Sequence, residues 1–327
     1  MTNTMKAIVI RQPGPPEVLQ LEELQVAVPG PGWVLIKVKA FGLNRSEVFT
    51  RQGHSPTVKF PRVLGIEAVG VVESAPDRDF MVGQKVATAM GGMGRQFDGS
   101  YGEYVSVPVS QVKAIETSLD WSIFAALPEM IQTAWGSLHT SLQIKPGQTL
   151  LIRGGTRSVG LSAAGIAKKH GLTVAATTRK PERIPFLRDN NVDHVFVDTG
   201  SITSEVHQVF PDGVDCVLEL VGTTTLLDPL QTVKRHGVVC MTGIVGNSWT
   251  LNDFNPMTEI PVTVKLTSYA GNADDFINTP LQEIVRDMEA GILKIPLGQV
   301  FHLDEMIKAH QALDNNAGQG KIVVVTS

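Results

Sequence analysis

The sequence predicts an α/β protein whose second half folds as a doubly wound parallel sheet, preceded by an irregular, mostly-β region. From about Trp121 onward, helix-like stretches alternate with short runs rich in Val, Leu and Ile, the pattern of βαβ units on a parallel sheet. Before that point, short β-rich runs are broken at close intervals by Gly and Pro. The 327 residues are long for one core and comfortable for two domains.

In the first region the runs Lys6–Ile10, Trp33–Ala40, Ala68–Glu73, Lys85–Met90 and Gly102–Val107 read as strands. In the second, the strand candidates are Thr149–Arg153, Thr173–Thr177, His194–Val197, Val214–Glu219, Gly237–Thr242 and Val264–Tyr269. Six such strands separated by helical segments are what a complete dinucleotide-binding fold needs. Two amphipathic helices, Pro280–Ala290 and one around Leu303–Leu313, then lead to a last strand, Lys321–Val325. No repeat of fixed period and no low-complexity tract interrupts this order.

A formal net charge of −4 gives no electrostatic reason to expect nucleic acid or an acidic membrane as partner. No run is long and apolar enough to span a bilayer. The opening Met1-Thr2-Asn3-Thr4-Met5-Lys6 lacks the apolar stretch of a signal peptide. The two cysteines, Cys216 and Cys240, sit inside apolar runs and do not make a secreted disulfide framework. These features predict a cytoplasmic location.

The strongest chemical motif follows the first strand of the second half. Leu150-Leu151-Ile152-Arg153 runs into Gly154-Gly155-Thr156-Arg157-Ser158-Val159-Gly160, and Leu161–His170 continues with helical character. A strand, a small-residue turn and a helix bring free N–H groups and the positive helix end to one point, where a pyrophosphate binds. Gly155 is expected to permit the tight turn and Gly160 the close packing of helix on strand. Arg157 takes the place of the middle glycine of G-x-G-x-x-G. Its side chain there crowds the phosphates, points outward or helps to hold them.

Coenzyme choice is read at the end of the second strand, where an acidic residue would bind the ribose 2′-hydroxyl of NAD. Here the strand ends in Thr177-Thr178-Arg179-Lys180-Pro181-Glu182-Arg183. No carboxylate stands at the tip, although Glu182 follows closely. Thr178 offers a hydrogen bond, and Arg179, Lys180 and Arg183 offer charge to a 2′-phosphate, which favours NADPH. Two further turns, Leu218-Glu219-Leu220-Val221-Gly222 and Thr242-Gly243-Ile244-Val245-Gly246, lie at carboxyl ends of strands, the ligand-binding edge of an open parallel sheet. Val221, Gly222, Gly243, Ile244 and Val245 are expected to approach the nicotinamide carboxamide.

Further segments carry a resemblance over nearly the whole chain. They are Met5-Lys6-Ala7-Ile8-Val9, Gly14-Pro15-Pro16-Glu17-Val18-Leu19, Pro29-Gly30-Pro31-Gly32-Trp33-Val34-Leu35-Ile36-Lys37-Val38 and Gly42-Leu43-Asn44-Arg45-Ser46-Glu47. Pro61-Arg62-Val63-Leu64-Gly65-Ile66-Glu67, Gly99-Ser100-Tyr101-Gly102-Glu103-Tyr104-Val105, Thr133-Ala134-Trp135 and Gly320-Lys321-Ile322-Val323 complete them. On these residues the chain resembles the medium-chain dehydrogenase/reductase superfamily, in its zinc-free quinone oxidoreductase (zeta-crystallin-like) branch. The resemblance implies a GroES-like substrate domain over residues 1–121 and 272–327, a Rossmann domain over 122–271, a cleft between them and a homodimer.

The resemblance also bears on metal and catalysis. Zinc-dependent relatives carry a cysteine where this chain has Asn44 and a histidine where it has Ile66, and the four-cysteine structural lobe is missing. No metal is expected, with His54 a polar loop residue and not a ligand. Without a Lewis acid, the coenzyme carries the hydride and the protein stabilises the negative charge that forms on the acceptor. The resemblance places Asn44 and Thr133 beside the nicotinamide, Asn44 donating to the acceptor carbonyl or to the coenzyme ribose, with a turn-capping amide as the plain alternative. It brings a basic side chain at Lys321 to the coenzyme, with a strand-edge lysine that discourages aggregation as the alternative. Tyr269, at the tip of the sixth strand, reaches the site or serves packing. The acceptor would meet loops such as Phe49–Val58 and Gly91–Asp98. Three functions follow: NADPH-dependent reduction of a quinone or α,β-unsaturated carbonyl, an enoyl-thioester reductase on the same scaffold, or an NADPH-binding protein without turnover.

Overall fold

The computed structural model describes residues 3–315 and 320–326. The chain divides into two compact units. The first runs up to Gln132 and takes in Gly271–Ile292 and the chain from Leu297; the second comprises Thr133–Ala270 and Leu293–Pro296. The segment Trp121–Gln132, expected in the second domain, therefore lies in the first. Its helix Trp121–Ala125 packs on strands Trp33–Gly42, Glu67–Ser74 and Lys321–Val325, with Phe124 and Ala125 buried. Leu293–Pro296 goes the other way, with the Leu293 side chain against Gly165.

The first unit is mostly β. Its larger sheet runs in the order Leu297–His302, Lys321–Val325, Trp33–Gly42, Glu67–Ser74, Lys85–Ala89 and Val112–Ala114, with Tyr104–Pro108 paired to Trp33–Lys37. Trp33–Gly42 is buried along most of its length, as a strand covered on both faces should be, and this accounts for its near-continuous apolar sequence. Tyr104–Pro108 alternates buried and half-buried positions, with one face on the core. A smaller sheet places Thr4–Ile10 between Leu19–Gln25 and Arg62–Val63. The Glu-rich Leu19–Gln25 carries no strand signal of its own. It becomes one because all seven of its residues pair with Thr4–Ile10. Ile10, Val34, Ile36, Phe41, Leu64 and Met93 form the centre of the core.

The second unit is a six-stranded sheet with every pairing parallel, in the order His194–Val197, Thr173–Thr178, Thr149–Arg153, Val214–Glu219, Val233–Met241 and Lys265–Ser268. Numbered along the chain this is 3-2-1-4-5-6, the doubly wound order, whose direction reverses between Thr149–Arg153 and Val214–Glu219. Three of the six strands match the sequence expectation to the residue; the fifth begins earlier, at Val233, and the sixth is trimmed to Lys265–Ser268. Among the described residues no helix is long and apolar enough to cross a membrane.

Candidate functional site

In the second unit, strand Thr149–Arg153 feeds a glycine turn and then helix Ser158–Lys169. The turn corrects one expectation. Gly154, not Gly155, takes the left-handed conformation, at φ +83°. Gly155 is needed for closeness instead: a Cβ there would lie 2.6 Å from the Ala176 Cβ on the neighbouring strand. A Cβ on Gly160 would lie 2.9 Å from the backbone of Gly155, so the helix seats directly on the turn. Two hydrogen bonds from Gly154 N to Thr177 Oγ1 (3.0 Å) and from Gly155 N to Thr177 O (3.2 Å) tie the turn to the second strand.

Arg157 is the N-cap, with extended backbone, and the first helical bond runs from Leu161 N to Arg157 O at 2.9 Å. The N–H groups of Ser158, Val159 and Gly160 thus precede any carbonyl one turn back, and no acidic residue stands in the first turn. Thr156, Arg157, Ser158 and Val159 are half-buried around this positive end. At the second strand tip, Arg179 and Lys180 are exposed and Arg183 is half-buried. Thr178 is buried, and its hydroxyl is spent on the turn, accepting from Lys180 N (3.1 Å) and donating to Lys180 O (3.3 Å). In this turn the hydroxyl offered by the sequence as a hydrogen-bond donor bonds locally.

The two later turns are joined through one residue. Glu219 Oε1 accepts from Val221 N (2.6 Å) and Gly222 N (3.0 Å), and its carbonyl accepts from Thr242 N (2.9 Å) and Gly243 N (3.1 Å). Gly222 has φ +108°, and at Gly243 any Cβ would strike the Leu220 carbonyl. Burial pushes the Glu219 carboxyl up to about 7, against the pull of those N–H donors and of Arg153. Ile244 and Val245 follow in the same turn, where Gly246 N bonds to Val221 O at 2.8 Å. Thr133 is half-buried, and its carbonyl accepts from Ser137 Oγ (2.7 Å), which also meets Thr242 Oγ1 at 2.9 Å. Tyr269 is buried and packs its ring over Gly136.

In the first unit a charged cluster is buried under helix Arg45–Arg51. The Asn44 carboxamide donates from Nδ2 to Glu67 Oε1 (2.9 Å), and Lys321 Nζ donates to its Oδ1. The ammonium of Lys321 also meets Glu67 Oε1 (2.8 Å) and Glu129 Oε2 (3.1 Å). Glu129 N donates to Glu67 Oε2 at 2.8 Å. Glu47 reaches back to Asn44 N (2.5 Å) and accepts from Ile66 N (3.1 Å), closing the helix N-terminus. Burial, with Glu67 nearby, pushes Glu47 up to about 8, and burial also raises Glu67. Burial opposes the charge on Lys321, yet Glu67 and Glu129 together raise its pKa above the ordinary lysine value.

Lys321 is only 3% exposed, on a strand flanked on both sides, so the strand-edge reading of it does not hold. His54 is exposed with its ring 6.4 Å from that of Phe49, while the Glu67 carboxylate faces Lys321; the two do not converge. The Gly91–Gly94 segment is a pinned turn, with Met93 fully buried and Gln111 Nε2 donating to Gly91 O at 2.9 Å.

Two family models match the chain: the alcohol dehydrogenase GroES-like domain over residues 30–117, and zinc-binding dehydrogenase over residues 191–324. Human quinone oxidoreductase is 27% identical over 328 residues, covering 98% of each chain. The crystal structure of Pseudomonas syringae pv. Tomato DC3000 quinone oxidoreductase is 25% identical, with a TM-score of 0.88 over 98% of this chain and 100% of that one. The chain belongs to the medium-chain dehydrogenase/reductase superfamily of oxidoreductases, in its quinone oxidoreductase branch. Its first unit is accordingly GroES-like and its second a Rossmann fold. Escherichia coli quinone oxidoreductase, whose structure is complexed with NADPH, shares the fold at 20% identity, with a TM-score of 0.88 over 98% of this chain and 100% of that one.

For a member of this superfamily, the sequence reading missed the carboxylates that surround Asn44 and Lys321. Glu47, Glu67 and Glu129 come from three separate segments, and each looks like an ordinary acidic residue in its own stretch. The one available signal is that Glu67 lies in an otherwise apolar run, Val63-Leu64-Gly65-Ile66-Glu67-Ala68-Val69. Glu219 was visible only as part of a turn, although it ends an apolar strand.

Proposed function

We propose that this chain is an NADPH-dependent, zinc-independent oxidoreductase that transfers a hydride to a quinone or an α,β-unsaturated carbonyl compound. One observation carries the reading: the unneutralised N-terminus of helix Ser158–Lys169 stands beside a second strand tip whose cations, Arg179, Lys180 and Arg183, have no ion-pair partner among the described residues. A pyrophosphate suits this turn, because Gly155 and Gly160 let strand, turn and helix close so tightly that the helix N–H groups present together. NADPH, when bound, supplies the hydride.

The chain's own residues divide the remaining work. The N–H groups of Ser158, Val159 and Gly160 hold the pyrophosphate, with Thr156 and Arg157 at its rim, and Arg179, Lys180 and Arg183 pair with the 2′-phosphate. The backbone of Val221, Gly222, Gly243, Ile244 and Val245 orients the carboxamide of the nicotinamide. The Thr133 hydroxyl is a hydrogen-bond donor toward that ring. Asn44 donates an N–H to the acceptor oxygen, where negative charge grows as the hydride arrives. The proton that completes the product comes from solvent.

The absence of metal chemistry rests on the donor set, since Asn44 and Ile66 offer neither thiolate nor imidazole. A homodimer is supported by the edge strand Lys265–Ser268 of the Rossmann sheet, and by exposed Met257 and Val262 before it. A cytoplasmic setting suits two buried cysteines that form no disulfide. The test is NADPH consumption against a panel of quinones, enones and acyl thioesters. Turnover with quinones or enones is expected. Activity confined to acyl thioesters would make the chain an enoyl-thioester reductase, and saturable NADPH binding without oxidation across the panel would remove the catalytic reading.

A further inference from the structure

We infer that Lys321 is a positioning residue for the Asn44 carboxamide and not a ligand of the coenzyme. The inference rests on the role proposed for Asn44 at the acceptor oxygen. An ammonium has three N–H donors and no acceptor. All three of those on Lys321 are matched inside the first unit, by Glu67 Oε1, Glu129 Oε2 and Asn44 Oδ1. With Lys321 3% exposed, a phosphate would have to displace one of them to be bound.

The same geometry fixes which way the amide points. Asn44 Oδ1 faces a group that only donates, and Nδ2 faces a carboxylate that only accepts. Flipping the amide would set N–H against N–H and oxygen against oxygen, so one orientation survives. One Nδ2 hydrogen goes to Glu67, and the other is left with a single direction in which to serve an acceptor oxygen. Glu67 is itself held by Glu129 N at the start of helix Pro128–Trp135, at 2.8 Å. Gly42 lets the cluster close, because any side chain there would strike both Glu67 and the Lys321 stem. Pinned between two carboxylates, Lys321 holds the carbonyl end of Asn44 without competing for its N–H.

A double-mutant cycle tests this on the full-length protein. The variants are Asn44→Ala, Lys321→Met and the pair, with kcat, KM and NADPH dissociation constant measured for each. Lys321→Met is expected to lower kcat about 100-fold, the scale of a misplaced catalytic group, while NADPH affinity changes less than about threefold. The double variant should be no slower than Asn44→Ala alone, because Lys321 acts through Asn44. Multiplying losses, or a large loss of NADPH affinity with kcat retained, would overturn the inference. Normal kcat in Asn44→Ala alone would instead remove Asn44 from the proposed function. If Lys321→Met does not fold, Lys321→Arg takes its place in the same cycle: it keeps the positive charge, but its larger fork displaces the amide.

Discussion

The guanidinium of Arg153 spans both carboxylate oxygens of Asp198, with Nε 2.9 Å from Oδ2 and Nη2 3.0 Å from Oδ1. Its third nitrogen meets Asp228 Oδ2 at 2.6 Å, and Nη2 also bonds to Gly200 O at 2.8 Å. One fully buried cation at the end of the first Rossmann strand thereby ties down the loops after the third and fourth strands. Arg153→Met leaves two carboxylates in the cluster without their counter-charge and should destabilise the protein by about 3–5 kcal/mol. Urea unfolding followed by tryptophan fluorescence measures it; a loss under about 1 kcal/mol would mean that water enters and replaces the guanidinium.

Glu219 predicts a pH dependence. Its carboxyl moves from an ordinary value of 4.5 to about 7 in the folded chain, chiefly through burial. Folding therefore favours the protonated form. The stability this contributes is fully present below about 4.5 and is lost as pH climbs through about 7. Glu219→Gln keeps an acceptor for the N–H groups of Val221 and Gly222 but cannot ionise. Relative to the wild type, the variant should gain stability between about pH 4.5 and pH 7, by at most about 1.4 kcal/mol per pH unit, and level off above that. Parallel stability curves for the two proteins across that window would show that Glu219 ionises normally.

Gly160→Ala tests the seat of the helix on the turn. The added methyl would lie 2.9 Å from backbone atoms of Gly155, which cannot step aside as a flexible side chain would. A cost of about 1–3 kcal/mol in stability is expected, with weaker NADPH binding because the N–H groups shift. Fluorescence titration and unfolding of the same preparation check both. Unchanged affinity in a destabilised variant would detach the turn from phosphate binding.

Arg179→Ala should weaken NADPH far more than NADH, by about tenfold or more for loss of a charge-assisted phosphate contact. Arg179 is exposed, so the fold should not suffer. Equal losses for the two coenzymes would rule out a 2′-phosphate contact at this residue.

The Rossmann unit was legible because its signals are local. Each buried strand is a short apolar run, and the turn after Arg153 announces itself by its glycines in sequence. Even there, composition could not say which glycine bends: Gly154 turns and Gly155 yields space to Ala176, a distinction that depends on a neighbouring strand. The Leu19–Gln25 strand was hidden for a similar reason, since its Glu-rich run becomes β only through pairing with Thr4–Ile10.

What the amino-acid order alone determined is the fold class, the strand sequence of the parallel sheet and the glycine turn that opens helix Ser158–Lys169, because periodicity and turn chemistry act between residues close along the chain. What tertiary structure decided is the state of the charged groups. The sequence offers Lys321 as a strand-edge or coenzyme residue; only the fold shows Asn44, Glu67 and Glu129 brought around its ammonium from three separate segments. Electrostatic environment depends on distance and burial in space, and neither is written in the local pattern of residues.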